Sequence, residues 1–111
     1  MIKLYGIPNC NNVSKVRKWL TANNMEYKFH DFKKDGLEES TLVHWVDEFG
    51  WEVLLNKRST TWRKLPDDTK ENIDRDKAIS IMLANPSIIK RPIFDNDGLF
   101  IIGFDEEFYG S

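Results

Sequence analysis

The N-terminal third of the chain alternates between strand, helix and strand patterns, and this alternation restricts the fold more than any other feature. Residues 2–5 are β-favouring, and the stretch GIPN that follows ends the strand. Apolar residues then recur at helical spacing from Asn11 or Asn12, and either asparagine is a suitable helix cap. The alternating stretch EYKFHDF predicts a second strand. So short a connection predicts a βαβ unit whose two strands are parallel.

The rest of the chain predicts helices, then a hairpin, then one more helix. One helix ends at Gly50, and WEVLLNKRSTTWRKL predicts a short helix, a loop and a helical turn. Asp74 or Asp76 caps the next helix, the turn NDG joins two strands, and Asp105 caps the last helix. We therefore predict an α/β fold with a thioredoxin-like, mixed four-stranded sheet flanked by helices. A helical insert at about residues 37–86 separates its βαβ and ββα halves within a single domain.

Composition excludes several classes of partner. The 111 residues carry a net charge of −2, which provides no overall attraction for nucleic acid. We see no apolar run long enough to span a bilayer and no signal-peptide pattern at the start. One cysteine and two separated histidines make no zinc pattern. We therefore expect a monomeric cytoplasmic protein with a reduced thiol and no metal, nucleic-acid or membrane partner.

Cys10 is the only cysteine, and it lies where the first strand is predicted to lead into the first helix. A thiol reacts as the thiolate, and the unpaired N–H groups at a helix N-terminus favour that anion. Lys15 and Arg17 would add positive charge nearby. The alternative is a small buried core residue, but the proline and asparagines around Cys10 are typical of an exposed turn. We predict that Cys10 is a nucleophile and that Asn11, Asn12 and Lys15 line its substrate site.

A proline and two arginines complete the candidate site. Pro92 directly precedes an apolar strand, where it is either a strand-edge proline or a cis proline that turns the preceding carbonyl toward a substrate groove. A planar guanidinium binds carboxylates and oxyanions and lowers the pKa of a nearby thiol. We favour such a role for Arg91, beside the proline. For Arg58, in the NKRSTTWR loop, a substrate contact and a solvated surface position remain open.

Four segments together resemble the ArsC/Spx family, and best its YffB-like branch. They are YGIPNCNNVSKVRKWL, YKFHDFKKDGL, GWEVLLNKRSTTWRKL and KRPIFDNDGLFIIGFDEEFY, and the similarity runs nearly end to end. The resemblance implies a thioredoxin/glutaredoxin-like sheet with a helical insert and a cysteine at the first helix N-terminus. It also implies a cis proline after an arginine and glutathione as the reducing thiol. Cys10, Arg91 and Pro92 match these family positions.

The chain departs from the family's arsenate reductases at several positions. Those enzymes carry His four residues before the nucleophile and Gly-Thr-Ser-Arg after it, whereas this chain has Gly6 and Asn-Asn-Val-Ser. Their oxyanion site uses three arginines, of which Arg91 matches the second. The first aligns with Asn56, with Arg58 two residues further on, and the third falls near Gly103.

A second departure concerns the number of thiols. Spx regulators and dithiol glutaredoxins carry another cysteine three residues after the first, where this chain has Val13, so no intramolecular disulfide can form. We predict monothiol chemistry, in which Cys10 attacks a glutathione mixed disulfide or another oxidised substrate and a second glutathione resolves the adduct. Arg91 would hold the thiolate or a glutathione carboxylate, and the Pro92 edge would align the tripeptide.

Two alternative functions follow from the resemblance. One is an arsenate reductase that depends on glutathione and glutaredoxin, and the other is a non-catalytic binding protein resembling Spx, which docks onto RNA polymerase. In the preferred hypothesis glutathione, or another small thiol or oxidised substrate, is the partner. Glutathione is a co-substrate there, and no cofactor is bound.

Overall fold

The computed structural model describes residues 1–110, and its elements follow the predicted order. The strands are β1 (Ile2–Gly6), β2 (Tyr27–Asp31), β3 (Ile93–Asn96) and β4 (Leu99–Ile102). The α-helices are α1 (Asn11–Ala22), α2 (Glu39–Phe49), α3 (Trp51–Leu54), α4 (Thr60–Lys64), α5 (Asp67–Lys70), α6 (Arg75–Ala84) and α7 (Glu106–Tyr109). A single 3-10 turn at Pro86–Ile88 had no counterpart in the sequence prediction.

The four strands form the predicted mixed sheet, in the order β2-β1-β3-β4. Strand β1 is parallel to β2 and antiparallel to β3, and β3 is antiparallel to β4. The β3–β4 hairpin turns at Asp97 and Gly98, whose φ angles of 51° and 94° are typical of a tight two-residue turn. The chain therefore has the thioredoxin-like arrangement of a βαβ half and a ββα half.

Helix α1 begins differently from the prediction, because its N-cap is Cys10 and not an asparagine. Cys10 has extended backbone angles, φ −116° and ψ 129°, and its carbonyl oxygen accepts the first helical hydrogen bond from the Ser14 N–H at 3.0 Å. Asn11 and Asn12 already belong to the first turn. The predicted asparagine cap is wrong because Cys10 is the last residue with extended backbone angles, and the helix starts at the next residue. The side-chain preference for capping is a weaker influence. By contrast, the predicted caps at Asp74 and Asp105 are confirmed.

The chain divides into two compact units. The first comprises Met1–Gly36 and residues 91–110, and it holds the sheet with α1 and α7. Its buried cluster is formed by Ile2, Leu4, Val16, Leu20, Phe94 and Tyr109. The second unit is Leu37–Lys90, which holds α2 to α6 and includes the fully buried side chains of Leu42, Trp45, Leu54, Met82, Ile88 and Ile89. No helix within residues 1–110 has the length and apolar character needed to cross a membrane.

The buried hydroxyl of Tyr109 lowers the stability of the first unit, and this effect can be measured. Tyr109 is only 4% exposed, and its hydroxyl has no hydrogen-bond partner among the described residues. Burial, and then the Asp105 carboxylate, raise the pKa of Tyr109. Because a buried hydroxyl without a partner costs free energy, we expect Tyr109→Phe to raise the free energy of unfolding by about 1 kcal/mol in urea titrations.

Tyr27→Phe is the matched control for this measurement. The Tyr27 hydroxyl accepts a hydrogen bond from Arg17 Nε at 3.0 Å, so its removal is expected to lower the free energy of unfolding by about 1 kcal/mol. Equal losses in the two variants would show that the Tyr109 hydroxyl has a partner after all.

Candidate active site

The sheet brings the end of β1 and the start of β3 together. Because the two strands are antiparallel and Tyr5 pairs with Ile93, the residues just before β3 run beside those just after Tyr5. The residues just before β3 are Arg91 and Pro92, and the peptide bond between them is cis. Of the two interpretations of Pro92, the cis proline is therefore the one that the structure has. The Pro92 carbonyl oxygen accepts a hydrogen bond from the Gly103 N–H at 2.8 Å.

Cys10 lies at this end of the sheet, half-buried, and its surroundings favour the thiolate. Partial burial is the largest single influence and raises the pKa of the thiol. Hydrogen bonding from the Val13 backbone N–H, the Arg91 side chain and the Asn12 backbone N–H lowers that pKa, and so does the positive charge of Arg91. Together these influences outweigh burial, so the Cys10 pKa lies below its ordinary value.

The Val13 and Asn12 backbone N–H groups interact with the sulfur only weakly while the thiol is neutral. Cys10 makes no conventional side-chain cap hydrogen bond with the first turn of α1. Sulfur is a larger and weaker acceptor than the oxygen of a serine or aspartate cap, so neutral capping is poor at this position. A thiolate carries a full charge and interacts with the same N–H groups, and with the helix dipole, over a longer distance. The arrangement therefore stabilises the anion more than the neutral thiol.

The predicted site residues on α1 have different surroundings from Cys10. Asn11 and Asn12 are exposed, and Asn12 acts on the thiol through its backbone N–H. The Lys15 Nζ atom lies 5.3 Å from the centre of the Phe104 ring. Such a contact between an ammonium group and an aromatic face is attractive. In this structure the Lys15 ammonium group therefore contacts an aromatic ring, and its role in substrate binding stays a prediction.

Arg58 belongs to the second unit. It is exposed on the loop between α3 and α4, where its backbone N–H donates to Asn56 Oδ1 at 3.1 Å. The loop is further held by Ser59, whose side chain accepts the Trp62 N–H as the N-cap of α4. The proposed substrate contact of Arg58 stays a prediction.

Val13 is a site residue that the sequence analysis did not identify. Its spacing along α1 predicts a core side chain, which is confirmed because Val13 is fully buried. Its backbone N–H nevertheless acts on Cys10. The available signal was its position in the predicted first turn of α1, where the backbone N–H groups have no partner within the helix.

Comparisons with known proteins agree with this architecture. The chain is 49% identical over 109 residues to an uncharacterised protein of Haemophilus influenzae, covering 98% of this chain and 96% of that protein. It is 28% identical over 109 residues to the global transcriptional regulator Spx of Streptococcus pyogenes, covering 96% of this chain and 81% of the regulator.

Two solved structures are similar in sequence as well as in fold. A structure named YffB protein superposes with a TM-score of 0.94 at 41% identity, covering 99% of this chain and 96% of the other. An arsenate reductase (ArsC) related protein from Brucella melitensis superposes with a TM-score of 0.79 at 44% identity, covering 97% and 90%. Residues 5–111 match the ArsC family as a whole. This chain therefore belongs to the ArsC family and has its arsenate-reductase-like, thioredoxin-like fold.

Proposed function

We propose that this protein is a monothiol, glutathione-dependent thiol/disulfide oxidoreductase with Cys10 as its nucleophile. The observation that carries the proposal is the set of donors around the Cys10 sulfur, namely the Val13 and Asn12 N–H groups and the Arg91 side chain. A thiol with a lowered pKa is ionised to a larger extent at neutral pH and attacks disulfides faster than an ordinary thiol.

The reaction needs two exchange steps. In the first, the Cys10 thiolate attacks the glutathione sulfur of a mixed disulfide, and the other half of that disulfide leaves as a thiolate that takes up a proton. In the second, the thiolate of a free glutathione attacks the glutathione sulfur of the adduct. Oxidised glutathione forms and the Cys10 thiolate is regenerated. The chain has a single cysteine, so a thiol from outside the chain has to perform the second step, and we assign that step to glutathione.

Arg91 serves both steps in this scheme. Its side chain stabilises Cys10 as the attacking thiolate in the first step and as the leaving thiolate in the second. Glutathione carries two carboxylates, so Arg91 and Lys15 are the cationic side chains of the first unit that we assign to binding it. In this assignment Lys15 exchanges its contact with the Phe104 ring for a carboxylate of the tripeptide.

The proposal is tested by steady-state turnover with the mixed disulfide of glutathione and 2-mercaptoethanol. Glutathione is the reductant, and glutathione reductase reports the oxidised glutathione that forms. We expect saturable turnover and, in the absence of glutathione, a glutathione adduct on Cys10 detected by mass spectrometry. A wild-type protein that forms neither the adduct nor product would refute the proposal.

Arsenate reduction is the second candidate, and the similarity to the arsenate reductase related protein of Brucella melitensis favours it. Each charge-assisted contact to an oxyanion contributes about 1.5–3 kcal/mol, so arsenate binding is strengthened by every additional arginine. In this chain the hydrogen bond and the charge of Arg91 lower the pKa of Cys10, and no other arginine within residues 1–110 contributes to that shift. The same preparation should therefore be assayed with arsenate, glutathione and glutaredoxin. Arsenite production faster than mixed-disulfide turnover would favour this second candidate.

A further inference from the structure

Gly6 is the last residue of β1, and the space beside it is filled by the first turn of α1. A Cβ atom at position 6 would lie 2.8 Å from Val13 Cγ2. Real Cβ contacts are not this short, so any side chain at position 6 displaces one of the two partners. Gly6 does not have a positive φ, so the requirement for glycine here arises from space and not from backbone conformation.

Neither the Gly6 backbone nor the Val13 side chain can move easily to relieve this contact. The Gly6 carbonyl oxygen accepts the Phe32 N–H at 2.9 Å, and Gly6 pairs with Asp31 in the parallel ladder, which holds this end of β1 in place. Val13 is fully buried, and a β-branched side chain in a helix has one strongly preferred rotamer. The displacement is therefore taken up by the backbone of the first turn of α1.

We infer that Gly6 is a positioning residue for the Cys10 thiolate, because its missing side chain allows Val13 to close onto β1 and so sets the Val13 N–H beside the sulfur. This inference rests on the proposed function, in which Cys10 reacts as a thiolate. Val13 lies within the helix, whereas Cys10 lies before it with extended backbone angles, so a shift of the first turn changes the separation between the Val13 N–H and the sulfur. The same packing leaves no room for a proton-accepting side chain at position 6. The groups that favour the thiolate are the two N–H groups and Arg91.

The test is the pH dependence of Cys10 alkylation by iodoacetamide, followed by mass spectrometry. Cys10 is the only cysteine, so the rate reports one site. We expect Gly6→Ala to raise the midpoint by about half a pH unit, which is about a threefold slower reaction at neutral pH. A folded Gly6→Ala variant with the wild-type midpoint would overturn the inference.

A double substitution separates positioning from a general loss of stability. Val13→Ala removes the methyl group that collides with the new Cβ but keeps the backbone N–H. We therefore expect Gly6→Ala to leave the midpoint unchanged when it is introduced into the Val13→Ala variant. A rise of the same size in both backgrounds would contradict the steric mechanism.

Two further outcomes keep the test decisive. If Gly6→Ala does not fold, Val13→Ile enlarges the same contact from the helix side with Gly6 retained, and we expect the same upward shift. A folded Val13→Ile variant with the wild-type midpoint would then refute the positioning role. If the wild-type midpoint itself lies at or above about 8.5, Cys10 is an ordinary thiol and the proposed function fails together with this inference. A lowered wild-type midpoint that does not respond to position 6 or 13 removes only the inference.

Discussion

Cys10→Ser is expected to reduce turnover of the glutathione mixed disulfide to the uncatalysed rate, a loss of about 10³-fold or more. The reason is that the serine hydroxyl remains protonated under conditions in which the Cys10 thiol ionises, and it forms no disulfide. Steady-state assays with the mixed disulfide measure this loss directly. Because Cys10 is the only cysteine, no other thiol in the chain can replace it.

The same substitution is expected to leave the fold intact. Cys10 is the N-cap of α1 and makes no conventional side-chain cap hydrogen bond. Serine is one of the preferred N-cap residues, so we expect Cys10→Ser to be more stable than the wild type by up to about 1 kcal/mol in urea titrations. Lost activity in a variant of equal or higher stability cannot be attributed to unfolding.

Cys10→Ser also distinguishes an enzyme from a binding protein of the Spx type. If Cys10→Ser turned over the mixed disulfide as fast as the wild type, the proposed function would be wrong. If the wild type showed no turnover and both proteins bound RNA polymerase equally well, the non-catalytic alternative would be supported.

Arg91→Met is the second large effect that we expect. The thiolate fraction rises with pH through the Cys10 pKa, and Arg91 lowers that pKa by hydrogen bonding and by charge. Removing the guanidinium therefore moves the rise in alkylation rate and in kcat/KM to higher pH. A shift of about one pH unit corresponds to a tenfold slower reaction at neutral pH. Arg91→Lys should shift the midpoint less, because it keeps the charge but loses the planar set of donors.

The pH profile separates two roles of Arg91. Well above both midpoints the thiol is fully ionised in either protein, so an effect that acts through the pKa disappears there. A difference in KM that persists at high pH would report a lost contact with a glutathione carboxylate. Profiles of the two proteins that coincide at every pH would refute both roles.

Arg17→Met is the matched control for Arg91. Arg17 is also half-buried, but its guanidinium carbon lies 4.5 Å from the centre of the Phe29 ring and its Nε donates to the Tyr27 hydroxyl. We expect this substitution to lower stability without moving the alkylation midpoint of Cys10. An equal shift in the two variants would mean that net charge, and not the position of Arg91, controls the thiol.

Local patterns were sufficient to predict most of the elements, and their failures have local causes. The alternation of Tyr27 to Asp31 predicts β2, and the short connection predicts its parallel pairing with β1, because one helix between two adjacent strands allows little else. The 3-10 turn at Pro86–Ile88 was missed because three residues carry too little periodicity to be recognised. The start of α1 was placed on an asparagine because capping preference is visible in the sequence, whereas the turn of the backbone at Cys10 is not.

By itself the sequence determined how many thiols the chain has and where the thiol lies along it. One cysteine, with Val13 three residues later, restricts the chain to monothiol reactions, because a disulfide within the chain needs a second sulfur. Only the tertiary structure decided which groups surround that thiol. The pairing of β1 with β3 places Arg91 beside Cys10, and the close approach of Val13 to Gly6 positions the N–H donor. Hydrogen bonds and charge effects of this kind act over a few ångströms, so they depend on which distant segments the fold brings together.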